Sequence, residues 1–128
     1  MRLASLLCAA VLAAFGGSAT AGPLAYVPND KSATVSVIDT ATDQRLRDIP
    51  LGERPRGIAA GGGRLYLTDG KTGSLLIVDA AAGKLLKTVR IGDSPEGVSL
   101  SPDGRMLAVA VEDDNSVALL NASDGRPS

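Results

Sequence analysis

The 128-residue sequence contains no histidine, no tryptophan and one cysteine. Without histidine these residues can form no Ser-His-Asp triad, no His-ligated zinc site and no His-ligated haem. Carboxylates, lysines, two tyrosines and hydroxyls remain, a thin set for a hydrolase. No catalytic residue, metal ligand or cofactor is therefore expected, and the chain reads as a non-enzyme. A long apolar run is missing too: residues 3–15 are apolar but fall short of the ~18–20 residues that a spanning helix needs. Arg2, that run and Ala19-Thr20-Ala21 form instead the three zones of an export signal, residues 1–21, cleaved after Ala21. The expected mature chain starts at Gly22, is periplasmic or secreted, and has no membrane insertion after cleavage. Cys8 leaves with the signal, and the residues before it lack the small side chains of a lipidation site, so no disulfide or thiol chemistry is expected. Loss of Arg2 takes the net charge from −1 to −2. That near balance gives neither the basic face that nucleic acid requires nor a polybasic patch for anionic lipid.

What is present is repetition. "IPLGERPRGIAA" at 49–60 returns as "VRIGDSPEGVSL" at 89–100. Asp39 matches Asp79, Gly52 matches Gly92, Pro55 matches Pro95, Gly57 matches Gly97 and Tyr26 matches Tyr66, each forty residues apart. A third copy follows with small insertions: Arg64-Leu65 reads as returning in Arg105-Met106, and "VDAAAGK" in "LNASDGR". The unit is about 40 to 42 residues, in the range of four-stranded propeller blades. Repeat units are placed at about 25–64, 65–105 and 106–128, within one domain at 22–128.

Inside each unit, short apolar runs alternate with turn residues. Residues 34–38 alternate in polarity, whereas 75–78 and 106–111 are apolar on both faces, as strands covered on both sides must be. Pro28-Asn29-Asp30, Gly61-Gly62-Gly63, Thr72-Gly73, Ser101-Pro102-Asp103-Gly104 and Ser123-Asp124-Gly125 interrupt too often for helices. The fold class is thus all-β, a β-propeller of four-stranded antiparallel blades with about two and a half repeats. Strands are predicted at 24–28, 34–39 and 46–51, then 57–60, 65–69, 74–79 and 85–91, then 97–100, 106–111 and 116–121. A propeller closes with about four to eight blades. Three, four and three strands cannot close a ring, so the sequence is expected to be the front of a longer protein, or to associate through its unpaired edges.

"AYVPND…TVSVIDTATD", "LYLTDGKTGSLLIVDAAAGK" and "PEGVSLSPDGR" resemble the YVTN-family β-propeller repeat, from Leu24 to Arg126. Val27-Pro28-Asn29 and Leu67-Thr68-Asp69 depart from the Val-Thr-Asn motif, and Asn121 stands where Asp39 and Asp79 stand in the earlier units. "GERPRGIA", Pro95-Glu96 and "VEDDNSV" are further similar to the propeller proteins associated with pyrroloquinoline quinone (PQQ)-dependent alcohol catabolism. That resemblance implies an exported accessory encoded with a transport operon. Its implied partner is a periplasmic protein or a small ligand, with a quinoprotein dehydrogenase or a transporter component as the protein partner.

By analogy with other propellers, function is expected at the face where inner strands begin. Glu53, Arg54 and Arg56 on one linker, and Asp93 and Glu96 on the next, bring opposite charges there. The turns between second and third strands add Asp30 and Lys31, Asp69 and Lys71, and Glu112, Asp113, Asp114 and Asn115. Arg54 and Arg56 read as anion-facing groups and the acidic residues as their counterparts, against a plain reading as solvated loop charge. "EDDN" lacks the glycine-centred, alternating ligand spacing of a calcium loop. The shared residues Asp39, Gly52, Pro55, Gly57, Asp79, Gly92, Pro95 and Gly97 read as backbone hardware of the repeat. The competing functional reading is the front of a propeller enzyme, a lactonase or a haem-d nitrite reductase-like protein, with its catalytic residues in other blades. Fold alone does not choose between them.

Overall fold

The computed structural model describes residues 22–128, so the export signal expected at 1–21 lies outside the described residues. Ten strands form three antiparallel sheets. The first contains β1 (Leu24–Asn29), β2 (Thr34–Asp39) and β3 (Gln44–Pro50), in that order. The second contains β4 (Pro55–Gly61), β5 (Arg64–Asp69), β6 (Ser74–Asp79) and β7 (Lys84–Arg90). The third contains β8 (Pro95–Leu100), β9 (Met106–Val111) and β10 (Ser116–Asn121). The repeat extends to the irregularities of pairing. Register shifts fall between Val37 and Ile38 and again between Ile77 and Val78, and between Pro55 and Ile58 and again between Pro95 and Val98.

Period-two alternation explains how the sheets stack. On β5 and β6, Leu65, Leu67, Leu76 and Val78 face the first sheet and join Val35, Val37, Ile49 and Leu51 in one core. The intervening residues Tyr66, Leu75 and Ile77 face the third sheet and join Val98, Leu107, Val109 and Leu120 in a second core. The doubly apolar run at 75–78 is thus covered on both sides. For 106–111 the expectation of two covered faces is not met. Leu107, Val109 and Val111 are buried, but Met106 and Ala110 on the other face are exposed, as are Val117 and Leu119 of β10. The reason is that no further sheet packs on that face among the described residues.

One repeat assignment shifts by a residue. Arg64 pairs with Asp79 in its sheet and Met106 with Asn121 in the next, so Met106, and not Arg105, occupies the place of Arg64. A one-residue slip moves a side chain to the opposite face of a strand. The cause is the β8–β9 hairpin: six residues separate the paired Leu100 and Leu107, against four between Ala60 and Leu65.

The β1–β2, β5–β6 and β9–β10 turns each need one left-handed residue. They use Ala33 (φ 54°), Gly73 (φ 66°) and Asn115 (φ 51°). Only glycine adopts that conformation without steric cost, so the turn geometry belongs to the architecture and tolerates unfavourable residues.

Candidate functional site: a charged end spanning three sheets

The linkers into β4 and β8 and the turns β1–β2, β5–β6 and β9–β10 lie at one end of the stacked sheets, where β4 and β8 begin. Pro55 and Pro95 start those strands and are buried. Proline suits the position, since its locked φ presets an extended start.

Asp69, placed by sequence among solvated loop charges, is a correction: it is 1% exposed. Its Oδ2 accepts the Glu53 N–H at 2.7 Å, and its Oδ1 accepts those of Arg54 at 3.2 Å, Lys71 at 3.0 Å and Thr72 at 3.2 Å. One carboxylate thus holds both the linker arriving from the first sheet and its own turn. Burial pushes the Asp69 carboxyl up, but the four backbone donors outweigh that and hold it below its ordinary 3.8. The sheet-three position is Val111, which cannot accept a hydrogen bond, so the third blade lacks this lock.

Thr68, fully buried, makes a second cross-sheet link. The Gly57 N–H donates to its hydroxyl at 2.8 Å, and the hydroxyl donates to the Glu96 carbonyl at 2.5 Å. Thr68→Val keeps the shape and removes the hydroxyl, stranding a donor and an acceptor. The expected cost is about 1–3 kcal/mol, checked by denaturant titration.

Charged side chains meet above this scaffold. Arg54 Nε donates to both oxygens of Asp30 at 3.0 and 3.2 Å. Arg56 lies between sheets: its Nε is 3.9 Å from Asp30 Oδ2 in the first sheet's turn, and its Nη1 pairs with Glu96 of the third sheet. Arg56 Nε is buried without a hydrogen-bond acceptor among the described residues. Lys71 Nζ pairs with Glu53 at 2.9 Å, and that bond together with the charge of Glu53 raises the lysine's pKa. Of the residues singled out by sequence, Glu53, Arg54, Arg56 and Glu96 are therefore gathered with Asp30 and Lys71. Asp93 instead pairs locally with Arg90. Asp113 and Asp114 are exposed and join no ion pair among the described residues. Asn115 N–H bonds back to the Glu112 carbonyl, which makes "EDDN" a tight turn, and among the described residues no group of three carboxylates converges as a metal site.

The structural repeat residues have local tasks. Asp39 and Asp79 accept N–H bonds from Ala41 and Ala82, each at 2.8 Å, closing the turns after β2 and β6. Gly52 packs so near Asp69 that an added Cβ would lie 2.5 Å from Oδ2, and a Cβ at Gly92 would lie 2.7 Å from Val111. Among the described residues no helix is long and apolar enough to cross a membrane.

No protein-family model matches the chain. No curated protein sequence matches it either. Solved structures do. Hydrazine synthase of Kuenenia stuttgartiensis is similar at a TM-score of 0.78 and 22% identity, over 84% of this chain and 32% of that one. The dihydro-haem d1 dehydrogenase NirN is similar at 0.63 and 21%, over 82% of this chain and 23% of that one. Apo AztD of Citrobacter koseri is similar at 0.65 and 16%, over 84% and 32%. These are β-propeller proteins, and the three sheets are blades of an incomplete β-propeller. The chain spans about a third or less of the length of each.

Proposed function

We propose that this β-propeller chain is an exported, non-enzymatic binding module whose partner surface is the charged end where β4 and β8 begin. Following its repeat resemblance, the proposed partner is a component of PQQ-dependent alcohol oxidation, either the quinoprotein dehydrogenase or a transporter subunit. The supporting observation is that Arg56 of the middle blade sits between Asp30 of the first and Glu96 of the third. Three separate repeats thus contribute to one preorganised patch of alternating charge. A patch of this kind discriminates partners by complementarity and adds to association rate more than to raw affinity. The anion-facing role expected of Arg54 and Arg56 is narrowed, because each already faces a carboxylate. A partner must then match both signs by exchanging ion pairs. The absence of histidine from the sequence supports a binding role over catalysis.

The test measures binding of purified quinoprotein dehydrogenase and of the transporter's periplasmic subunit to the parent and to Arg54→Ala/Arg56→Ala. The expected result is a loss of about tenfold or more for one of them, with weaker binding at higher salt. Unchanged affinity for both would discard the arginines as a site. Turnover of a lactone by the chain would replace the reading with an enzymatic one.

A further inference from the structure

A cleft of about 980 Å³ lies at the other end of the sheets, between the second and third blades. Tyr66, Leu100, Arg64, Arg105, Asn121 and Ser123 are among its lining residues. It exists because the repeat disagrees with itself there. The second blade turns from β4 to β5 through Gly62-Gly63 alone, after Gly61 ends β4, and no side chain rises there. The third blade turns from β8 to β9 through the longer Ser101-Pro102-Asp103-Gly104-Arg105, which raises a lip and carries Arg105 onto the rim.

The charge balance of the two ends differs. Arg54, Arg56 and Arg90 at the opposite end all face carboxylates, and Arg45 and Arg126 pair with Asp48 and Asp124. Arg47 donates to the carbonyls of Ala80 and Ala81. Arg64 and Arg105 are the remaining arginines among the described residues, and both line this cleft. Arg64 Nη1 donates to the Ser123 carbonyl at 3.2 Å, which orients its fork, and its other N–H groups have no partner among the described residues. Arg105 makes no side-chain hydrogen bond or ion pair among the described residues. Asp103, the one carboxylate on the rim among the described residues, is already engaged by the Ser101 hydroxyl at 2.6 Å and the Arg105 backbone N–H at 3.0 Å.

We infer that this cleft binds a small molecule through an oxyanion head, a carboxylate or phosphate gripped by Arg64 and Arg105, with its body against Tyr66 and Leu100. Guanidinium forks match the planar geometry of such heads and bind them bidentately. The volume admits a small ligand, and the lining is mixed: Tyr66 and Leu100 stand beside polar side chains, among them Arg64, Arg105, Asn121 and Ser123. The site is independent of the partner surface proposed above.

The test is calorimetric titration of the full chain with two probes, inorganic phosphate and sodium benzoate, backed by NMR shifts of the arginine Nε–H resonances. The expected result is saturable binding of at least one probe, with shifts confined to Arg64 and Arg105. Benzoate alone would mark a carboxylate with an apolar body as the natural class, and phosphate alone a phosphate head. Arg64→Met/Arg105→Met is expected to weaken binding at least tenfold, and Arg64→Lys, which keeps the charge but loses the fork, by a similar factor. Lys87→Ala, on an exposed face of β7, leaves binding as in the parent. Failure of both probes to saturate, or equal binding by the parent and the arginine variants, overturns the inference.

Discussion

Replacing Asp69 by alanine is expected to lower the thermal unfolding midpoint by roughly 12–24 °C. The carboxylate accepts four backbone N–H groups, two on the linker and two on the following turn, and it is buried. Alanine leaves those donors without an acceptor and opens a void. Charge-assisted hydrogen bonds contribute more than neutral ones, so about 3 kcal/mol is expected once water has reached part of the site. At roughly 4–8 °C per kcal/mol for a chain of about this size, the midpoint shift follows. Asp69→Asn is the milder variant. Its carbonyl oxygen can keep the three bonds now made by Oδ1, while its amide presents N–H to the N–H of Glu53.

The same residue sets a pH dependence. Its folded pKa lies below 3.8, so between the two values the unfolded chain binds the proton more readily. The stabilisation is therefore fully present above about pH 4–5 and is lost as pH falls through the lower folded value. Thermal midpoints measured from pH 6 to pH 3 should fall more steeply in the parent than in Asp69→Asn. Parallel acid limbs in the two proteins would remove Asp69 from this role.

Gly57→Ala is expected to be nearly as damaging, and Gly97→Ala close to neutral, although the two glycines are repeat equivalents. A Cβ at Gly57 would overlap the Glu96 carbonyl oxygen and press on the Thr68 hydroxyl at 3.0 Å. The obstacle is the backbone of the adjacent inner strand, which cannot swing aside as a side chain could. Overpacking of this kind costs about 1–3 kcal/mol, and a backbone clash belongs at the upper end. A Cβ at Gly97 meets nothing within 4 Å among the described residues. Surface changes without such a feature stay within about 0.5 kcal/mol. Denaturant midpoints of the two variants give a direct comparison, and equal losses would contradict the close packing of β4 on β8.

The two glycines show what repetition does and does not convey. The forty-residue spacing placed both at the start of an inner strand. It could not show that one touches a neighbouring backbone and the other faces open space, because that depends on which sheet packs alongside. The same limit applies to the charged letters. Asp30 and Asp69 stand in corresponding turns, yet Asp30 forms an ion pair at the surface and Asp69 is buried under backbone donors. A carboxylate after an apolar strand and before a glycine reads as an ordinary turn residue. Only the linker folding back onto it reveals the lock.

The opposite end was still less legible. Arg64 and Arg105 read as copies of one repeat position, and the hairpin insertion that separates their structural places is visible only through strand pairing. A cleft is formed by two walls, and the sequence describes each wall separately.

Taken alone, the sequence determined the all-β class, the ten strands and their grouping into three, four and three. Alternating polarity, turn residues and a forty-residue period are short-range properties, and strand propensity acts at that range. The tertiary structure decided which charges are buried, which arginines keep a free fork and which glycine is indispensable. Each of these depends on contacts between blades, where partners lie tens of residues apart along the chain and burial turns a loop carboxylate into a structural anchor.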